Sequence, residues 1–309
     1  MPGRGEAAPA LALSLVMAAA TTAWWFFQWG EVPGHFAVAE SMTARATLAA
    51  AQPDQVEMYR VLVPWLYMGV AWTQAIAAKL PLAVVQFLCA IVFFYGGLRL
   101  YQHERPDASR HERLLVAAVL AFYSVSAYQS VNRYGELLAP GLLALSLSTS
   151  GLRAVAAMTF LALQRMDYAA LAALVGAVRL AGGGWRVRTA VDWAVGAAAV
   201  AAVILWLSTV VPSDLPAPNH AGLYHDDGRL KVLDALNPRT WVWHMAYLLP
   251  AAGLVSTLAG RWSAALLVGA GAAMVSMRLF GSWSEVRLLL PTVIFLVCAR
   301  STRGVASPS

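Results

Sequence analysis

Residues 54–66 read DQVEMYRVLVPWL, and the path of this stretch decides how the chain is arranged. It holds Asp54, Glu57, Tyr59 and Arg60 and then continues into an apolar run that contains a proline. Long apolar segments lie on both sides of it. Charged residues beside such segments are typical of the functional sites of polytopic membrane proteins. We therefore expect catalytic residues or substrate contacts in this stretch.

The composition of the chain indicates a protein that lies in lipid. Of its 309 residues, 60% are hydrophobic and 12% are charged, whereas a soluble domain carries about 25% charged residues. Twelve Trp and ten Tyr fit aromatic belts at the two membrane interfaces. We assign the net charge of +6 to basic cytoplasmic loops, so membrane lipids are expected partners and nucleic acid is not. Cys89 and Cys298 lie in apolar runs, which predicts buried thiols rather than a disulfide or a metal site.

The apolar segments predict an all-α fold, a polytopic transmembrane helix bundle with about 9–11 membrane helices, including short or re-entrant ones. Residues 1–309 are predicted to form a single integral membrane domain, with outer loops at 30–59 and 212–239. The first apolar run continues without a clear cleavage site, which predicts a retained helix rather than a signal peptide. The predicted apolar segments are 9–29, 60–79, 81–101, 114–131, 136–150, 153–180, 190–211, 241–259, 263–279 and 287–299.

Lys and Arg tend to remain in cytoplasmic loops, and this tendency tests whether residues 60–79 cross the membrane completely. With the N-terminus in the cytoplasm, a complete crossing here would send the charged residues 102–113 outside. We therefore predict that residues 60–79 lie at the outer interface or re-enter the membrane. Residues 102–113 then form a solvated cytoplasmic loop.

The same test applies to residues 153–180. One long helix would send Arg186 and Arg188 outside, whereas two short helices meeting at Arg165-Met166-Asp167 return both arginines to the cytoplasmic side. We predict the two short helices. The alternative is ten complete spans, with two loops that break the charge rule.

This topology gathers ionisable residues from distant parts of the sequence at the outer face. Carboxylates there can act as bases or metal ligands, and arginines can bind phosphate through two parallel hydrogen bonds. Simpler interpretations stay open. Glu57 and Arg60 have the spacing of a helical ion pair, and Arg165 and Asp167, two residues apart, fit a plain loop between helices.

Two further groups also have simple interpretations. Glu285 and Arg287 fit an interfacial anchor for the last helix. His225-Asp226-Asp227 is a weak metal-ligand pattern, and a solvated loop is the preferred interpretation for these three residues.

Three short motifs carry a family resemblance: residues 59–66 after an acidic first loop, Gln164-Arg165-Met166-Asp167 between short apolar helices, and Glu285-Val286-Arg287 before a helix that contains a proline. Together they resemble segments of bacterial polytopic proteins related to the GT-C glycosyltransferase superfamily. The resemblance implies a multi-pass protein of the bacterial inner membrane, and the charge distribution predicts a cytoplasmic N-terminus. The resemblance also implies transfer of a sugar from a polyprenyl-phosphate donor at the outer face.

By the same resemblance, a first-loop carboxylate serves as the base or as a metal ligand, and a divalent metal ion is a candidate cofactor. The implied catalytic residues are Glu40, Asp54 and Glu57, and the implied substrate-binding residues are Tyr59, Arg60, Glu136, Arg165, Asp167, Glu285 and Arg287. Two alternatives remain. One is a transporter or flippase for a lipid-linked or anionic small molecule, and the other is a non-catalytic membrane subunit.

Overall fold

A computed structural model describes residues 4–29, 62–127, 135–182, 187–210, 237–280 and 286–302. Within these ranges the chain is all-α, as predicted, apart from one pair of two-residue strands. The α-helices are α1 (Arg4–Trp29), α2 (Leu62–Val70), α3 (Leu80–Glu104), α4 (Arg110–Ala127), α5 (Leu138–Ser148), α6 (Leu152–Gln164), α7 (Met166–Ala181), α8 (Val187–Val210), α9 (Pro238–Thr257), α10 (Ala264–Phe280) and α11 (Leu290–Val297). Turns of 3₁₀ helix occupy Ala71–Ala75 and Val286–Leu289, and β1 (Arg261–Trp262) pairs antiparallel with β2 (Arg300–Ser301).

Three helical stretches in the described part are long and apolar enough to cross a membrane: Ala8–Phe26, Leu80–Glu104 and Ala190–Leu207. This finding suggests a membrane protein. Two predicted spans are much shorter in the structure. Residues 136–150 form the 11-residue α5, and residues 287–299 form the eight-residue α11 after a 3₁₀ turn. Both are shorter than the ~20 residues that cross a bilayer.

The centre of the bundle is the crossing of α3 and α5. Almost every side chain of α5 is buried, so this helix has no broad face for solvent or lipid. Gly96 and Gly141 allow the close approach of the two backbones. A Cβ atom at Gly141 would lie 2.6 Å from the backbone nitrogen of Phe93, and one at Gly96 would collide with the carbonyl group of Gly141. The crossing therefore depends on the two glycines.

At one end of the bundle, here called the basic end, polar contacts join the ends of several helices. Arg179 Nη2 lies 2.7 Å from Glu104 Oε1, and Arg179 Nη1 donates to the Leu147 carbonyl at 2.8 Å. The Ser301 hydroxyl donates to the carbonyl oxygen of Glu104 at 3.0 Å. These bonds tie α3, α5, α7 and β2 together at one level.

Residues 102–113 differ from the predicted solvated loop. Helix α3 extends to Glu104 and α4 starts at Arg110, while Glu104 and Arg105 are both buried. Arg105 pairs with Glu112 at 3.0 Å and donates to the carbonyl of Ala259. The exposed positions run from Pro106 to His111, apart from the half-buried Ala108, and a hydrogen bond from Thr302 holds the pKa of Asp107 below its ordinary value.

Residues 60–79 do not form a long helix in their described part. Helix α2 has nine residues, a length of roughly 14 Å at 1.5 Å per residue. Its start lies beside Gly135, whose backbone N–H donates to Gln86 near the start of α3. The segment therefore begins and ends at the same end of the bundle, as the interfacial or re-entrant hypothesis requires.

Candidate functional site

A break between two short helices forms the centre of the candidate site. Helix α6 ends at Gln164 and α7 begins at Met166, with Arg165 between them in an extended conformation (φ −153°, ψ 98°). The two helices pack against each other as a hairpin. This confirms the prediction of two short helices meeting at Arg165, and it places Arg165 at the end of the bundle opposite the basic end.

Arg165 holds two carboxylates, and we call Glu136, Arg165 and Asp167 the Arg165 cluster. Its Nε lies 2.9 Å from Asp167 Oδ1 and its Nη2 lies 2.6 Å from Asp167 Oδ2. Glu136 Oε2 is 3.9 Å from Nη1, and the guanidinium stacks 4.4 Å from the centre of the Tyr168 ring. With one arginine and two carboxylates, the cluster has a formal charge of −1.

Burial differs sharply within the Arg165 cluster. The side chains of Arg165 and Glu136 are 10% and 12% exposed, whereas that of Asp167 is 46% exposed. Burial by itself lowers the pKa of Arg165, but Tyr168, Asp167 and Glu136 together hold that pKa above its ordinary value. Arg165 therefore stays charged, and Asp167 is a carboxylate that is both accessible and held in a fixed orientation.

The start of α2 lies directly beside this cluster. The backbone N–H of Val63 donates to Gln164 Oε1 at 3.2 Å, next to the break at Arg165. Gly135, adjacent to Glu136, has a positive φ of 78°, and a Cβ atom there would lie 2.9 Å from Val63 Cγ1. The two contacts hold the start of α2 beside the Arg165 cluster.

A second buried arginine stands at the same level on a neighbouring helix. Helix α10 runs antiparallel to α7, with Gly269 packed against Val175. Nine residues further toward the Arg165 end, about 14 Å at 1.5 Å per residue, the two helices carry Arg278 and Met166. Arg165, at the break before α7, and Arg278, near the end of α10, therefore lie at the same level of the bundle.

Arg278 makes polar and aromatic contacts with α9. Its Nη1 lies 3.3 Å from Nδ1 of the fully buried His244, and its guanidinium stacks 4.8 Å from the Trp241 ring. Neither Arg278 nor His244 is among the site residues predicted from the sequence. The sequence feature that could have identified Arg278 is its position as the single ionisable residue in an otherwise apolar helix.

Of the predicted site residues, Glu136 and Asp167 both contact Arg165, and the roles of these three residues stay predictions. The backbone of Arg287 lies in the 3₁₀ turn that precedes α11, and its side chain lies outside the described residues. The other predicted site residues lie outside the described ranges: Glu40, Asp54, Glu57, Tyr59, Arg60 and Glu285.

The described part of the chain holds no group of three or more His, Cys, Asp or Glu side chains that could bind a metal ion. The two carboxylates of the Arg165 cluster share an arginine instead. His225-Asp226-Asp227, the weak metal pattern, lies outside the described ranges. Cys89 and Cys298 are free and buried, as predicted.

The chain matches no protein-family model, and no curated protein or solved structure is significantly similar to it.

Proposed function

We propose that this chain is an integral membrane protein of the bacterial inner membrane, with the basic end in the cytoplasm and the Arg165 cluster at the outer face. Three membrane-length apolar helices support this proposal. The charge distribution supports this orientation, because arginines favour the cytoplasmic side of membrane proteins. Arg105, Arg113, Arg179 and Arg300 all belong to elements that meet at the basic end.

At the outer face we propose a glycosyltransferase of GT-C-like build that uses a polyprenyl-phosphate-linked sugar. One observation carries this proposal. The hydrogen bond from the Val63 N–H to Gln164 holds the start of α2 beside the Arg165 cluster. Arg60 precedes Val63 by three residues, and three residues of chain span at most about 11 Å. This short separation along the chain supports a contribution of the acidic segment that ends at Arg60 to the same site.

The proposed reaction divides the charged groups between two tasks. A carboxylate of the first segment, Glu40, Asp54 or Glu57, takes the proton of an acceptor hydroxyl as that oxygen attacks the anomeric carbon of the sugar. The bond between that carbon and the phosphate oxygen breaks, and polyprenyl phosphate leaves. Arginines stabilise the negative charge on the leaving phosphate, and Arg165 and Arg278 are the described candidates. Asp167 and Glu136 orient Arg165.

The test is sugar transfer by the purified full-length protein in proteoliposomes. Polyprenyl phosphates that carry different radiolabelled sugars are supplied, and labelled glycolipid product is measured. We expect Arg165→Gln to lower the rate about 100-fold, a typical effect of removing a charge-stabilising group, and Arg165→Lys to restore part of it. Arg153→Gln, an exposed arginine at the basic end, is the matched control. Equal rates for Arg165→Gln and the control would contradict the assignment.

A transporter or flippase is the second candidate, because a broken helix and a buried arginine in an apolar helix also line the substrate pathways of transporters. The same proteoliposomes separate the two candidates. Movement of the intact lipid-linked sugar between leaflets, without a new glycosidic bond, would favour transport. If neither product nor movement occurs with any donor, the third hypothesis, a non-catalytic subunit, takes precedence.

A further inference from the structure

A groove at the basic end lies far from the Arg165 cluster. It has a volume of about 510 Å³ and runs between α1, α3 and α4, with a wall that includes Pro9, Ala12, Leu13 and Leu98. Its size falls in the range of about 300–1,000 Å³ that is typical of small-molecule sites. We call it the α1–α4 groove. Its apolar wall fits a hydrocarbon chain.

The mouth of this groove is basic. Arg110 and Arg113 line it at the first turn of α4. Glu112, between them in sequence, pairs with Arg105 at 3.0 Å and accepts the backbone N–H of Ser109 at 2.8 Å. Within the described ranges, no carboxylate lies within ion-pair distance of Arg110 or Arg113. Among the residues whose side chains the structure describes, the two arginines therefore bring positive charge to the mouth without a paired carboxylate.

Two further features of the groove favour an anionic group and a hydrogen-bond donor in the same ligand. The N-terminus of α4 adds the positive end of a helix dipole to the two arginines. Gln102 also lines the groove, and its Oε1 atom is buried without a hydrogen-bond donor among the described residues. A ligand that carries both an anionic group and a hydroxyl would satisfy all three side chains.

We propose that the α1–α4 groove binds an anionic phospholipid that carries a headgroup hydroxyl, of the phosphatidylglycerol class. One acyl chain lies along the apolar wall, the phosphate pairs with Arg110 and Arg113, and a headgroup hydroxyl donates to Gln102. Basic pockets between membrane helices at the cytoplasmic side are where anionic headgroups bind. A free anion would leave the apolar wall uncovered, and a zwitterionic lipid would place its cation beside the arginines. The proposal depends on membrane insertion and is independent of sugar transfer.

The test is native mass spectrometry of the full-length protein in detergent, titrated with phosphatidylglycerol or with phosphatidylcholine of the same acyl chains. We expect the double variant Arg110→Gln/Arg113→Gln to lose at least 10-fold in affinity for phosphatidylglycerol. The matched control is Arg153→Gln/Arg261→Gln, which removes the same charge from exposed positions outside the groove. Equal losses in the two double variants would show a general attraction to the basic end and would overturn the site.

A second pair of variants tests the apolar wall while leaving every charge in place. Ala12→Phe fills the groove from an exposed position on α1, and Ala19→Phe adds the same ring to an exposed position of α1 outside it. We expect Ala12→Phe to weaken phosphatidylglycerol binding at least 10-fold and Ala19→Phe to leave it unchanged. Unchanged binding in Ala12→Phe would contradict the acyl-chain site, and so would equal affinity of the unmodified protein for phosphatidylcholine.

Discussion

Arg179 Nη2 lies 2.7 Å from Glu104 Oε1, which joins two residues 75 positions apart at the basic end of the bundle. Both side chains are largely buried, with 12% and 7% exposed. Removing one partner of a buried ion pair leaves the other charge without compensation, at a typical cost of about 3–5 kcal/mol. We therefore expect Arg179→Gln to lower the thermal unfolding midpoint of the detergent-purified protein clearly. Arg153→Gln should leave it nearly unchanged, and similar midpoints for the two variants would contradict a structural role for the pair.

The close crossing of α3 and α5 predicts a strong effect of one methyl group. Gly96→Ala would place a Cβ atom against the backbone of Gly141, where the obstructing atoms belong to a helix and cannot rotate away. Overpacking of this kind costs about 1–3 kcal/mol. The matched control is Gly271→Ala in α10, where a Cβ atom meets nothing within 4 Å. That change should be neutral or slightly stabilising. The free energy of unfolding of the two variants checks this, and equal values would argue against the crossing.

The bond from Val63 to Gln164 predicts a change in backbone protection. Gln164→Ala removes the acceptor of the Val63 N–H, so we expect faster hydrogen–deuterium exchange in peptides that cover the start of α2. Gln74→Ala changes an exposed glutamine in the adjacent 3₁₀ turn and should leave that exchange rate unaltered. Unchanged protection in Gln164→Ala would mean that other contacts hold the start of α2.

The separation of the two ends predicts opposite membrane sidedness. In a background without Cys89 and Cys298, His111→Cys and Met166→Cys place single thiols at the basic end and at the Arg165 break. We expect a membrane-impermeant thiol reagent to label position 166 from the outside of intact spheroplasts and position 111 only after lysis. Labelling of both positions from one side would overturn the proposed topology.

The sequence predicts the break at Arg165 because three polar residues, Gln164, Arg165 and Asp167, interrupt an apolar segment that is too long for one span and is followed by two arginines. The cause is local, so pattern and charge are sufficient. The start of α2 is partly predictable for the same reason. The hydrogen bond from Val63 to Gln164 joins residues 101 positions apart in the sequence, and no local sequence pattern predicts such a contact.

The burial of Arg105 could not be predicted in this way. Its partners are Glu112, seven residues away, and the carbonyl of Ala259, 154 residues away. A charged stretch of sequence has the same composition whether its guanidinium groups meet water or distant carbonyls. Arg278 and His244 form a similar case, since their pairing depends on how α9 packs beside α10.

The contact between Gly96 and Gly141 also limits how far this sequence can diverge while the fold persists. Lipid-facing positions can exchange one apolar side chain for another, but a larger residue at either glycine collides with main-chain atoms that no second substitution can shrink. Distant homologues should therefore keep the smallest residues at these two positions even after the polar loops have changed completely. A paired-glycine pattern, one in a long apolar helix and one in a short buried helix about 45 residues later, would be a means of recognising such homologues.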